Sequence, residues 1–216
     1  LEHDFNVAIV GRNVRRGRNA LETLGGFDRR VFFIAADVSN VADCGRIIAE
    51  TLARFGRVDA LINSAGIYLD GAIQSVDEPS FERLFGVNVK GTFFMCRAAV
   101  DELTKTRGAI VNVASDAGLK GNYFCSLYSA SKGAVIALTK SLALELAHIP
   151  IRVNCVAPGL INTEIWKSLP KEDADKVIAG IPAGHPGETS DVANAIVFLA
   201  SKEAGYITGV AFGVDE

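Results

Sequence analysis

The 216 residues include 49% hydrophobic and 22% charged side chains, the balance of a single globular domain spanning 1–216 rather than a disordered tail. Lys and Arg total 22 against 25 Asp and Glu, a net charge of -3, so there is no excess of positive charge to neutralise a phosphate backbone and no nucleic-acid partner is expected. No apolar run reaches the roughly 18 residues that span a bilayer, and the opening Leu-Glu-His-Asp lacks the regions of a signal peptide, so the expectation is a cytoplasmic protein with no membrane partner.

Short β-branched runs alternate along the chain with longer amphipathic ones, the pattern of βαβ units around a parallel sheet covered on both faces. Strands are predicted at 5–10, 31–36, 58–63, 109–114, 151–156 and 207–210, and helices at 14–24, 41–55, 78–104, 126–147 and 190–201. Asp37 and Ser39 read as the start signal of the second helix, Asp77 with Pro79 as that of the third, and Thr189 to Asp191 as that of the last. Gly86 and Gly91 are expected to break the long third run into two helices. The stretch 159–187, with three prolines and a charged segment at 171–176, reads as an excursion above the sheet, where Trp166 and Leu169 are candidates for a pocket lining. The helix at 126–147 is apolar on more than one face, as suits burial between subunits, so a dimer or tetramer is expected. Cys44, Cys96, Cys125 and Cys155 lie far apart in apolar surroundings, without zinc-ligand spacing, and read as buried thiols with no metal.

A doubly wound sheet binds its ligand outside the carboxyl ends of its strands. Five of the six predicted ends carry informative residues: Gly11-Arg12-Asn13, Asp37-Val38, Asn63-Ser64-Ala65-Gly66, Ser115 and Pro158-Gly159. Thirteen residues beyond Ser115 stands Tyr128, and Lys132 follows four later, on the same face of a helix. A lone Tyr-x-x-x-Lys pair is weak evidence. It gains force from beginning a helix just after a Gly-containing loop that leaves the strand ending at Ser115, and from Asn88, expected to face the same crevice from another helix.

With these residues the chain resembles the short-chain dehydrogenase/reductase family from Phe5 to Asp215, and within it the β-ketoacyl carrier-protein reductases and bacterial sugar or polyol dehydrogenases. The resemblance implies a Rossmann-like doubly wound parallel sheet, with Asn88, Ser115, Tyr128 and Lys132 as catalytic residues. It also implies a nicotinamide cofactor. Asp37 and Val38 would lie against the adenine, Asn63, Ala65 and Gly66 against the adenosine ribose side, and Pro158, Gly159, Ile161 and Thr163 against the nicotinamide and phosphates, with Tyr128 and Lys132 completing the cofactor set. Three departures stand out. Ser64 replaces the second Asn of the family's turn. The family's first strand and glycine-rich phosphate loop do not occur in the 216 residues, so the sequence reads as a fragment lacking about 20 to 25 residues. The closing Gly-Val-Asp-Glu stands where the family continues Asp-Gly-Gly, so the C-terminus too reads as shortened.

The expected chemistry follows from what a ketone needs: a hydride on carbon, which reduced nicotinamide carries, and a proton on oxygen, which the protein must supply. Free Tyr titrates near 10, and an adjacent ammonium favours its phenolate, the part expected of Lys132. The Ser115 hydroxyl would hold the substrate oxygen as charge develops. A proton-relay role for Asn88 rests on the resemblance alone. Gly11 leaves out the carboxylate that NAD-using relatives often carry, and Arg12 with Asn13 offers donors to a 2′-phosphate, so NADP is expected over NAD. The substrate is expected to be a small carbonyl compound or secondary alcohol. The competing reading is a catalytically inactive nucleotide sensor on the same scaffold. His3, His148 and His185 are expected on the surface, and Asp116 reads equally as a substrate contact or an exposed loop carboxylate.

Overall fold

The computed structural model describes residues 5–25, 29–163 and 178–215. In chain order these form β1 (Val7–Gly11), α1 (Val14–Thr23), β2 (Val31–Ala35), α2 (Val41–Phe55), β3 (Ala60–Asn63), α3 (Glu78–Phe85), a π-helical turn (Gly86–Gly91), α4 (Thr92–Thr106), β4 (Ala109–Val113), α5 (Ala117–Lys120), α6 (Ser126–Leu146), β5 (Arg152–Pro158), α7 (Thr189–Ala200) and β6 (Ala211–Val214). Every strand pairing is parallel, so each connection must cross over a face of the sheet, and helices cover both faces. The side-chain alternation of β4 shows this directly. Ile110 joins a core with residues of α2, α4 and α6, whereas Val111, on the opposite face, packs with Leu199 of α7. At β2, Ile34 enters the first core while Phe33 points the other way, so close to α1 that a Cβ on Gly17 would collide with its ring.

The strands form two ladders, β1-β2 and β3-β4-β5-β6. They share one core, because Ile34 and Ala36 at β2 cluster with Leu61, Ile110 and Val153 through α2 and α4. Between β1 and β3 runs a cavity of about 1810 Å³ lined by both strands. Its effect on burial is plain: every β1 residue is only half-buried and Ile62 of β3 is 37% exposed, while the interior strand β4 is almost wholly buried.

Local chemistry explains where the elements begin, and in places corrects the sequence reading. Asn40, rather than Asp37 or Ser39, caps α2 by accepting from the Ala42 N–H, while Asp37 turns back to accept from the backbone N–H and hydroxyl of Ser39. Asp77 caps α3 as expected. Glu188 precedes α7 and forms a reciprocal capping box with Asp191. Gly86 and Gly91 do not break their helix: the run passes through a π-turn and continues as α4. The last strand is displaced from 207–210 to 211–214, because Thr208 donates back toward β5 and Gly209 turns with φ +79, so pairing starts only beyond them. Trp166, Leu169 and the 171–176 segment lie outside the described residues, as does His3. The other two histidines, His148 and His185, are exposed. All four cysteines are free and buried.

Candidate active site

The carboxyl ends of β3, β4 and β5 and the first turns of α6 meet at one place. Ser115 leaves β4 nearly buried, 8% exposed, and its Oγ accepts from the Ala117 N–H at 3.2 Å and donates to Asp116 Oδ1 at 3.1 Å. Asp116 is half-buried and also meets the Lys120 ammonium at 3.1 Å, so the carboxylate organises the serine loop rather than standing in water. Opposite Ser115, α6 presents Tyr128 and Lys132. Burial raises the Tyr128 phenol above its ordinary value, while a hydrogen bond with the Ser115 side chain pulls it down. The Lys132 ammonium, 6% exposed, donates to the Val113 carbonyl at 2.8 Å, lies 5.7 Å from the centroid of the Tyr128 ring and is pulled down to about 8 by desolvation. The lysine was expected to depress the tyrosine. In this arrangement Ser115 does so, and burial outweighs it.

Two sequence details let these groups converge. Gly118, in α5, lies flat on α6: a Cβ there would be 2.7 Å from the Lys132 carbonyl carbon and 2.9 Å from its Cβ, so only glycine allows the serine loop this close. Across the crevice, the π-turn drives Asn88 inward to 1% exposure. Single π-turns within α-helices are frequent at functional sites. The Asn88 carboxamide accepts from the Ile67 N–H at 2.8 Å, donates to the Ile67 carbonyl at 2.9 Å and to Ser131 Oγ at 3.1 Å. Ser131 in turn donates to the Tyr128 carbonyl at 2.7 Å. Asn88 therefore clamps the turn after β3 to the helix carrying Tyr128. Both amide protons of the Asn88 side chain and one acceptor position of its oxygen are taken by this clamp.

The remaining candidates divide. Gly11, Arg12, Asp37, Val38, Asn63, Ala65 and Gly66 all line the cavity between the sheets, and Ser115, Tyr128 and Lys132 stand outside that lining. Arg12 reaches Asp37 at 3.4 Å, an exposed pair. Asn13 caps α1 by accepting from the Arg16 N–H, so its carboxamide is engaged locally. Asn63 is turned inward, donating to Asn112 at 2.9 Å, which donates to Thr139 at 2.9 Å. This buried polar chain ties β3 to β4 and α6, leaving only the Asn63 backbone toward the cavity. Gly159 packs its backbone against Asp215, Ile161 pairs with Gly187, and Thr163 is half-buried at the edge of the described residues. The short helix α5 and Tyr68, whose ring meets that of Tyr128 at 5.0 Å, went unassigned in the sequence. Tyr68 follows the Asn63 to Gly66 turn by two residues, and that spacing was the available signal. Among the described residues, no group of three His, Cys, Asp or Glu could hold a metal, and no helix is long and apolar enough to cross a membrane.

Comparison with known proteins bears on the family and the fold. A family profile described as enoyl-(acyl carrier protein) reductase matches residues 1–216. The chain is 36% identical over 209 residues to a hydroxy(phenyl)methylsuccinyl-CoA dehydrogenase subunit, BbsD, of Thauera aromatica, covering 96% of this chain and 84% of that one. It is 39% identical over 212 residues to a human 3-oxoacyl-(acyl-carrier-protein) reductase, covering 98% and 86%. The structure of ElxO with NADP bound superimposes with a TM-score of 0.93 at 33% identity, covering 99% of this chain and 88% of that one. With a match along its whole length, a parallel doubly wound sheet and the Ser115, Tyr128, Lys132 and Asn88 group gathered at one crevice, the chain belongs to the short-chain dehydrogenase/reductase family.

Proposed function

We propose that the protein is an NADP(H)-dependent oxidoreductase that moves a hydride between the nicotinamide and a ketone or secondary alcohol, with Tyr128 as general acid and base. The observation that carries this reading is the convergence at one crevice of Ser115, at the end of β4, with Tyr128 on α6 and a buried ammonium 5.7 Å from the centroid of its ring. The names of relatives support it, since 3-oxoacyl-(acyl-carrier-protein) reductases recur among them and ElxO carries NADP.

The residues fit a dinucleotide. The Arg12 guanidinium stands at the carboxyl end of β1, Asp37 and Val38 follow β2, and the turn after β3 exposes Ala65 and Gly66. A Cβ at Gly66 would lie 3.5 Å from both Asn88 Oδ1 and Lys132 Nζ, so the bare glycine keeps open the space facing the ammonium. Reduced nicotinamide supplies the hydride when bound. As the hydride reaches the carbonyl carbon, the C=O π pair moves onto oxygen. Ser115 stabilises that charge by hydrogen bonding and Tyr128 donates its proton there. Because burial raises the phenol, Tyr128 is protonated near neutrality and ready to donate. Lys132, brought to about 8, exchanges a proton readily at the same pH and holds the phenolate until solvent restores its proton. Oxidation runs the steps in reverse. The nucleotide-sensor reading has no such support, since it leaves the grouping of these four residues without a use. A homo-oligomer belongs to the proposal, supported by Leu144 of α6, which is 83% exposed.

The test is Tyr128→Phe. Deleting one hydroxyl removes the proton donor and little packing, so kcat falls by about a thousandfold or more while NADPH affinity, read by fluorescence titration, stays within about twofold. Retention of a tenth of the wild-type kcat, a loss of only about 1.4 kcal/mol, removes Tyr128 from the mechanism.

A further inference from the structure

Tyr68 is held against the catalytic helix at two points. Its ring meets that of Tyr128 edge to face, centroids 5.0 Å apart and planes at 71°, and its hydroxyl lies 3.1 Å from Cys125 Sγ. Cys125 is buried, 2% exposed, and caps α6 three residues before Tyr128. The loop beyond Tyr68 is pinned as well: the Gly71 N–H donates to the Phe124 carbonyl at 2.7 Å. Phe124 sits at φ +54, a backbone region costly for a bulky residue and kept only where neighbours enforce it. It stacks edge to face with Tyr123 at 4.3 Å. Two loops joined by the Gly71–Phe124 and Tyr68–Cys125 contacts thus carry exposed aromatic side chains, Tyr68 at 41% exposure, Phe124 at 50% and Tyr123 at 83%. Such open aromatic surface at a crevice is unusual unless something packs on it.

We propose that Tyr68 is a specificity-determining residue, the fixed wall of a subsite that selects carbonyl substrates bearing an aromatic group on the reacting carbon. The inference rests on the oxidoreductase reading above. A carbonyl bonded to the Tyr128 hydroxyl has its substituents within reach of a ring only 5.0 Å from that of Tyr128. Tyr68 is already immobilised by Tyr128 and Cys125, so stacking on it orders no further side chain, and aromatic pairs gain beyond their simple area burial. Its phenol is raised by burial and by the neighbouring Cys125 and Asp70, so it remains a neutral wall rather than a second acid.

The experiment compares two β-keto esters that differ only at the ketone carbon, ethyl acetoacetate with methyl and ethyl benzoylacetate with phenyl, using NADPH and the protein at its natural length. Wild type is expected to favour the benzoyl ester by about tenfold or more in kcat/KM. Tyr68→Ala should lower the benzoyl-to-acetyl ratio of kcat/KM at least tenfold, whereas Tyr68→Phe, which keeps the ring and loses the Cys125 contact, should retain the preference. Equal losses on both esters in Tyr68→Ala, loss of the preference in Tyr68→Phe, or no preference in wild type each overturns the proposal. NADPH binding to wild type, followed by fluorescence, separates the two levels. Binding with turnover of neither ester discards the aromatic subsite and leaves the cofactor reading standing, while no binding discards the oxidoreductase reading and the subsite with it.

Discussion

Lys132 carries a charge in a place that disfavours it. Burial brings it to about 8 from an ordinary 10.5, so the unfolded chain binds its proton more tightly than the folded one. Below pH 8 the full penalty is present, and between 8 and 10.5 it disappears as the unfolded state also loses its proton, so stability should rise with pH across that window. The penalty near neutrality is about 3 kcal/mol, offset by about 1 kcal/mol for the bond to Val113. Lys132→Met is therefore expected to be inactive yet more stable by about 2 kcal/mol at pH 7, with the gain gone above pH 10.5. Urea melts at pH 7 and pH 10.5 check it, and a variant less stable than wild type at both contradicts it. Arg12 supports a second expectation. Its contact with Asp37 is long and exposed, worth about 1 kcal/mol at most, so a 2′-phosphate can take the guanidinium for a charge-assisted bond of about 1.5 to 3 kcal/mol. NADP should then be preferred over NAD by about 10- to 100-fold. A Cβ at Gly11 meets only the Phe33 ring, at 3.5 Å, so Gly11→Asp with Arg12→Leu has room to reverse the preference. Equal kcat/KM with both cofactors in wild type, or no shift in the double variant, rejects the assignment.

At the scale of elements, the site depends on α5 lying against α6. The approach is close at Gly118, where the neighbouring atoms are backbone of Lys132 and Gly133 and the Lys132 Cβ, which have little freedom to yield. Gly118→Ala is expected to cost about 1 to 3 kcal/mol through overpacking. It should also move the Ser115 loop away from Tyr128, lowering kcat/KM at least tenfold, because small misplacements of catalytic groups are costly. Thermal denaturation and steady-state kinetics measured together decide it: a variant with wild-type melting and turnover shows that the two elements are not coupled this way. The π-turn acts similarly from the other side, since its extra residue per turn aims Asn88 at Ile67 and so sets where the β3 turn sits.

For the whole molecule the decisive feature is the gap between the two ladders. Among the described residues, each edge facing it carries backbone N–H and C=O groups without ladder partners, and burying such groups costs about 1 to 3 kcal/mol apiece. The half-exposed β1 also leaves apolar side chains open to water. A polypeptide limited to the 216 residues should therefore unfold over a broad range and bind a hydrophobic dye such as ANS. A sharp cooperative melt together with ordinary NADP affinity contradicts this.

Much of the fold was legible because its signals are local. Apolar β-branched runs and the 3.6-residue period of the helices identify the elements, and the strand ends of a parallel sheet locate the crevice before any contact is known. Spacing alone brought Tyr128 and Lys132 onto one helix face and placed Ser115 at the end of a strand. What only the tertiary structure decided depends on groups distant in sequence. Composition does not reveal that Asn63 turns inward to Asn112, that Asn88 clamps Ile67, or that Tyr68 meets Tyr128, since each is set by how separate elements approach. The same holds for electrostatics. Lys132 was expected to tune Tyr128, but desolvation, which depends on everything packed around a side chain, raises the tyrosine and lowers the lysine. Sequence names the chemical groups; burial, a property of the assembled fold, sets their protonation.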